Sequence, residues 1–217
     1  QRFYYTDFPL LMISTALFYF IIYTDNQISR TEGFILLISI TVILFYLFIY
    51  QKKSISEFSE DIDNNKISIT KSFIYIIFSG SLLWLGSETL IKSAVTVANK
   101  FEISERVISI TMVAIGTSIP ELAASIVASL KKQNDLSIGN LIGSNIFNLL
   151  VVIGVTSSII PIGGIENSVI FNDMLWVVLF SGVILPLAYF GRRNVLTRKK
   201  GIILLILYLI FIIPLLS

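Results

Sequence analysis

Seven apolar stretches run along the chain, at roughly 8–24, 33–50, 71–98, 106–130, 136–161, 169–190 and 201–216, and short polar or charged segments separate them. A helix that crosses a bilayer needs about 20 predominantly apolar residues. The pattern therefore predicts an all-α membrane protein with seven transmembrane helices, of which the first and last are short for a full crossing. The longest polar interruption, Ser54–Thr70 within the 51–70 segment, is too small for a regulatory domain.

Composition sharpens this picture. Of 217 residues 55% are hydrophobic and only 14% charged, with a mean hydropathy of +0.85, which is far from a water-soluble enzyme. There is no His and no Cys, so a thiolate or imidazole metal site, a Cys or His nucleophile and a disulfide framework are all excluded. Any ion chemistry falls to oxygen ligands, and no cofactor is expected. The net charge of +2 points to no nucleic acid. Gln1 is preceded by no initiator Met and followed by nothing that reads as a signal peptide, which leaves room for a natural start further upstream.

Loop charge gives the orientation. Arg2, Lys52, Lys53, Lys66, Lys71, Lys131, Lys132, Arg192, Arg193, Arg198, Lys199 and Lys200 fall on one set of alternate loops, and only Arg30, Lys92, Lys100 and Arg106 on the other. Short cytoplasmic loops carry the Lys and Arg excess. The N-terminus and the 51–70 loop are expected inside and the C-terminus outside.

An internal similarity follows the same alternation. Ser29-Arg30-Thr31-Glu32-Gly33-Phe34-Ile35-Leu36-Leu37 aligns with Thr197-Arg198-Lys199-Lys200-Gly201-Ile202-Ile203-Leu204-Leu205, and Asp7 and Asp173 open the preceding spans at nearly the same distance from the paired glycines. The two segments fall on opposite faces of the membrane, as in an inverted repeat; chance likeness between apolar hairpins is the plainer explanation. If the repeat is real, its second copy has three spans (71–161) before the matching hairpin. The first copy lacks them, so the intact protein would have ten spans.

Ionisable groups at membrane depth are costly and point to function. Glu88 and Lys92 lie four apart near the outer end of their span, where they can pair and snorkel, a structural role. Glu121 is different, because it falls midway along 106–130, directly after Pro120. That proline has no N–H to offer the Gly116 carbonyl, so the helix kinks and loosens carbonyl oxygens. Ala114, Thr117, Ser118, Glu121 and Ser125 share one helical face. A proline kink with small packing residues is the bland alternative, but it leaves a mid-membrane carboxylate unexplained. In the next span Asn140, Ser144 and Asn148 also face one way. Alone they read as interhelical hydrogen-bond glue, with Gly139 and Gly143 as a close-packing pair. Beside Glu121 they read as the second wall of a cation site, since hard cations such as Ca2+ take six to eight oxygens.

At these residues the chain resembles a known family. Ile103-Ser104-Glu105-Arg106-Val107-Ile108, Gly116-Thr117-Ser118-Ile119-Pro120-Glu121 and Gly139-Asn140-Leu141-Ile142-Gly143-Ser144-Asn145-Ile146-Phe147-Asn148 look like the second alpha-repeat of the sodium/calcium exchangers, in the calcium:cation antiporter superfamily. The likeness covers about 71–161, and Ile28–Gly33 resembles the family's linker between spans four and five of ten. It implies the C-terminal part of a ten-helix 5+5 inverted-repeat antiporter. Residues 1–51 would be the last two helices of the first repeat, 52–70 a short cytoplasmic linker loop, and 71–217 the second repeat, with its ion-binding part at 71–161.

By the same resemblance Glu121 would be the acidic ligand shared by Ca2+ and Na+. Thr117, Ser118 and the Ala114 carbonyl would lie beside it, and Ser144 and Asn148 would line the facing helix. Some members carry Asp where this chain has Asn148. The first repeat should supply a matching Glu, so the missing N-terminal repeat is an expected partner, together with the lipid bilayer. The short inner loop resembles prokaryotic members, which implies the cell's inner, plasma membrane. The implied mechanism is alternating access, with Ca2+ extruded against inward Na+. A proton-coupled calcium exchanger on the same scaffold, and a half-size or non-transporting membrane subunit, are the alternatives.

Overall fold

A computed structural model describes residues 3–58, 68–101, 114–189 and 197–216. The regular elements among them are helical: α1 (Phe8–Asp25), α2 (Arg30–Phe58), α3 (Ile69–Lys100), α4 (Ala114–Leu130), α5 (Asn134–Phe147), α6 (Ile153–Ile159), α7 (Met174–Tyr189) and α8 (Arg198–Leu216). Three π-helical turns accompany them. Phe3–Asp7 leads into α1, Asn148–Val152 joins α5 to α6, and Val169–Asp173 leads into α7.

These elements follow the apolar stretches closely, with one difference. The linker was expected to start at residue 52, yet α2 continues to Phe58 and α3 is already formed at Ile69. Gln51–Phe58 contains neither Gly nor Pro, so nothing in the backbone chemistry ends the helix where its hydrophobicity ends. Residues 59–67 of the expected loop, and 106–113 of the expected fourth span, lie outside the described residues. Among the described residues five helices are long and apolar enough to cross a membrane: Phe3–Asp25, Arg30–Ile49, Ile69–Lys100, Asn134–Ile159 and Val169–Tyr189. The described parts of α4 and α8 are not among the five.

The chain separates into two compact units, residues 1–54 with 141–215, and residues 55–140. In the first unit α1 and α2 share a core with the C-terminal helices. That core is formed by Leu11, Phe18, Ile21 and Ile22 of α1 with Leu36, Leu150, Ile170 and Met174. Two of its buried hydroxyls are satisfied locally, Ser14 and Thr15 donating to the Leu10 and Leu11 carbonyls at 2.8 and 2.9 Å, while Tyr4 Oη and Thr6 Oγ1 are buried without a partner among the described residues.

The α1–α2 hairpin is built by local chemistry. Asn26 ends α1 in the left-handed region, at φ 54°, which Asn tolerates better than most residues. Ile28 then forms an antiparallel bridge with Ile162, its N–H donating to the Ile162 carbonyl at 2.7 Å and its carbonyl accepting in return at 3.0 Å. The Asn26 amide donates to Asn167 at 2.8 Å. Ser29 and Glu32 close a capping box: the Ser29 N–H donates to Glu32 Oε2 at 2.7 Å and the Glu32 N–H to Ser29 Oγ at 3.3 Å.

In the second unit α3 packs against α4. A Cβ at Gly116 would run into the side chain of Ile91, so glycine is what allows the two helices to approach there.

Candidate ion-binding site

Pro120 lies inside α4. It leaves the Gly116 carbonyl without its ordinary helical donor, one turn before Glu121 and at the level where Gly116 meets α3. Glu121 is half-buried, and its Oε2 is fully covered with no hydrogen-bond partner. An ionised carboxylate oxygen without a partner is expensive to bury. The arrangement therefore leaves that oxygen available to a cation.

The backbone of Glu121 is held from the next helix. Asn140 of α5 donates its amide Nδ2 to the Glu121 carbonyl at 3.1 Å and to Ser125 Oγ at 3.0 Å. One turn away Ser137 Oγ donates to the Ser125 carbonyl at 2.9 Å. The short turn between α4 and α5, with Lys132 at φ 60°, makes the two helices adjacent and antiparallel.

Of the six expected ligands, the structure places four on α4. Thr117 and Ser118 are exposed, each about one turn before Glu121, and Ala114 opens the described part of the helix. Ser144 and Asn148 continue the face of Asn140 but belong to the other compact unit. Ser144 Oγ donates to the Leu141 carbonyl of its own helix at 3.1 Å. Asn148 is exposed and begins the π-helical turn Asn148–Val152, a local widening that often marks functional positions in helices.

The residues brought into contact with the Glu121 segment are Ser125, Ser137 and Asn140. Ser125 and Asn140 stood on the two expected faces, whereas Ser137 went unnoticed although it lies one turn before Asn140. No sequence signal announces the π turn. Gly139 and Gly143, expected as a close-packing pair, face open space. Among the described residues no three His, Cys, Asp or Glu gather as a metal cluster, so a cation here would rest on one carboxylate and neutral oxygens. Glu88 and Lys92 of α3 form the expected ion pair at 3.0 Å, with Lys92 exposed and Glu88 partly covered.

Residues 71–216 match the family model described as sodium/calcium exchanger protein. The chain is 32% identical over 210 residues to the putative antiporter CaxA of Alkalimonas amylolytica, covering 94% of this chain and 65% of that protein. It is 41% identical over 124 residues to the sodium/calcium exchanger MaX1 of Methanosarcina acetivorans, covering 57% of this chain and 35% of that one. A solved structure of the sodium-calcium exchanger NCX_Mj, soaked with zero Na+ and Ca2+, superposes with a TM-score of 0.70 at 26% identity, over 96% of this chain and 64% of the other. The chain thus spans less than two thirds of the length of these relatives.

Proposed function

Because the chain belongs to the sodium/calcium exchanger family, we propose that it is the larger part of a membrane antiporter that exchanges Ca2+ for Na+ by alternating access. Family membership and the apolar helices make it an integral membrane protein. The observation that carries the ion-binding reading is the covered, unpartnered Oε2 of Glu121 beside the Pro120 break.

In this reading Glu121 supplies the one formal charge of this half-site. Thr117 and Ser118 hydroxyls and the Ala114 carbonyl add neutral oxygens from α4, and Ser144 and Asn148 add theirs from the α5 rod. Na+ and Ca2+ competing for overlapping oxygens couples the fluxes, since the two cannot occupy them together. The chain contributes seven spans of a ten-helix inverted repeat, with residues 1–51 closing the first copy and 71–217 forming the second. Entry of both α1 and α7 through a π-helical turn that ends in Asp7 or Asp173 supports that pairing. The segment upstream of Gln1 would supply the matching carboxylate. In this reading the loop charges favour a cytoplasmic N-terminus for this segment and a C-terminus outside, and the short 51–70 loop favours a prokaryotic cell membrane.

The test is Ca2+ uptake into proteoliposomes holding the complete protein, with an outward Na+ gradient and a K+ gradient as control. Uptake that requires Na+ and vanishes in Glu121→Gln supports the reading. Uptake that follows a pH gradient instead replaces it with proton-coupled exchange, and full transport by Glu121→Gln removes its central residue.

A further inference from the structure

The bond pattern around Glu121 separates two tasks. Its carboxylate oxygen Oε2 is covered and has no partner, while its carbonyl receives the side-chain amide of Asn140 at 3.1 Å. The same Nδ2 group reaches Ser125 Oγ at 3.0 Å, one turn along α4 from Glu121. Both protons of that amide are thereby directed at α4, at the turn that directly follows Pro120.

We propose that Asn140 is a positioning residue for the cation site: its forked amide donation to the Glu121 carbonyl and the Ser125 hydroxyl holds the 121–125 turn of α4, directly after Pro120, so that the Glu121 carboxylate stays free for the ion. This rests on the ion-binding reading of Glu121 and adds a residue outside the proposed ligands. The physical argument concerns donors. Proline leaves the Gly116 carbonyl, on its N-terminal side, without a helical donor, and on its C-terminal side the Asn140 amide adds a donor from the neighbouring helix to the Glu121 carbonyl, so the turn that carries the carboxylate is tied to α5. Oxygen ligands for a cation must present lone pairs. Asn140 instead presents its N–H2 group to this segment, which is the wrong polarity for coordination and the right one for clamping a carbonyl and a hydroxyl.

The polarity yields a discriminating experiment. Asn140→Asp has nearly the same shape but no amide protons, and it would set a carboxylate against the Glu121 carbonyl. Were Asn140 an ion ligand, added negative charge would tighten Ca2+ binding. As a positioning donor, its replacement by Asp weakens binding at least as much as Asn140→Ala does, while Asn140→Gln, which keeps the donor, retains part of the function. The complete protein and the three variants are purified and checked for monodispersity and melting temperature. Half-saturation for Ca2+ and the maximal rate are then read separately in proteoliposomes, and Ca2+ binding is read by calorimetry.

The expected result is a rise of about threefold to tenfold in half-saturating Ca2+ for Asn140→Ala and Asn140→Asp, with a smaller change in maximal rate and partial recovery in Asn140→Gln. Tighter Ca2+ binding by Asn140→Asp overturns the proposal, and so does an unshifted half-saturation in Asn140→Ala. Failure of all three variants to give monodisperse protein also overturns it, because the amide would then hold the fold and not the site. Wild-type protein that moves Ca2+ without Na+ coupling would instead sink the exchange reading, and the variants' calorimetric Ca2+ affinities would still decide the role of Asn140.

Discussion

Gly33 and Gly154 bring α2 and α6 together backbone to backbone: a Cβ on Gly33 would lie 2.9 Å from the Gly154 carbonyl oxygen, and one on Gly154 would lie 3.2 Å from that of Gly33. Gly33 sits directly behind the Ser29–Glu32 capping box, and Gly154 lies just past the π-helical turn that begins at Asn148. Close approach through paired small residues is how membrane helices gain packing energy without a hydrophobic driving force between them. The contact ties the α1–α2 hairpin to α6, the helix that follows the π-helical turn begun by Asn148.

Gly33→Ala is expected to be destabilising by about 1–3 kcal/mol, the usual range for overpacking. Its Cβ would meet Ser157 Oγ at 2.5 Å and the Ser158 backbone nitrogen at 2.8 Å, and a backbone nitrogen cannot swing aside. Gly154→Ala, whose nearest contact is the Leu37 side chain at 3.1 Å, should cost less. Gly143→Ala meets nothing and serves as the reference. Melting temperatures of the purified complete protein should fall in the order Gly143→Ala, Gly154→Ala, Gly33→Ala; an unchanged value for Gly33→Ala would show that the crossing is looser than this.

Removal of the capping box has a separate signature. Glu32→Ala frees the Ser29 N–H, which now donates to Glu32 Oε2 at 2.7 Å, and should cost about 1 kcal/mol. Amide hydrogen exchange should speed up in the first turn of α2 and stay unchanged in α7. Equal acceleration in both helices would mean that the box supports the whole unit and not the helix end.

Pro120→Ala gives Gly116 back its helical donor and removes the kink. Stability should hold or rise, because an interior proline costs a helix about 3 kcal/mol. Half-saturating Ca2+ should rise by about tenfold, or roughly 1.4 kcal/mol of binding energy, as loosened oxygens are withdrawn into the helix. Wild-type affinity in a correctly folded Pro120→Ala protein would take Pro120 out of the ion site.

The Glu88–Lys92 pair should behave in the opposite way to Glu121. It is an i, i+4 pair on one exposed face, of the kind worth little when solvated. Glu88→Gln combined with Lys92→Gln should leave Ca2+ transport and melting temperature near their wild-type values. Loss of transport in the double variant, measured in the same proteoliposomes as Glu121→Gln, would assign the pair a part in the ion path.

The helices were legible in the sequence because a bilayer imposes length and apolarity on each crossing. The edges were less so. α2 overruns its apolar stretch because hydrogen bonding, unlike partition into lipid, continues until a breaker intervenes. Glu121 stood out because a carboxylate at membrane depth is costly, and Pro120 because its missing N–H is a local property. Asn140 was visible only as a member of a polar face. That its amide points at the Glu121 carbonyl depends on the angle at which α5 returns along α4, which no residue pattern encodes.

The apolar helices, the interior proline and the acidic residue beside it could be read residue by residue, since each follows from the energy of single groups in a solvent that satisfies no polar atoms. The tertiary structure alone decided that Gly33 meets Gly154, that Ile91 closes over Gly116, and that Asn140 clamps the segment whose carboxylate is left without a partner. Those relationships join residues far apart in the chain, and they exist only once helix packing has brought particular faces together. Packing energy depends on pairs, and a linear pattern specifies one residue at a time.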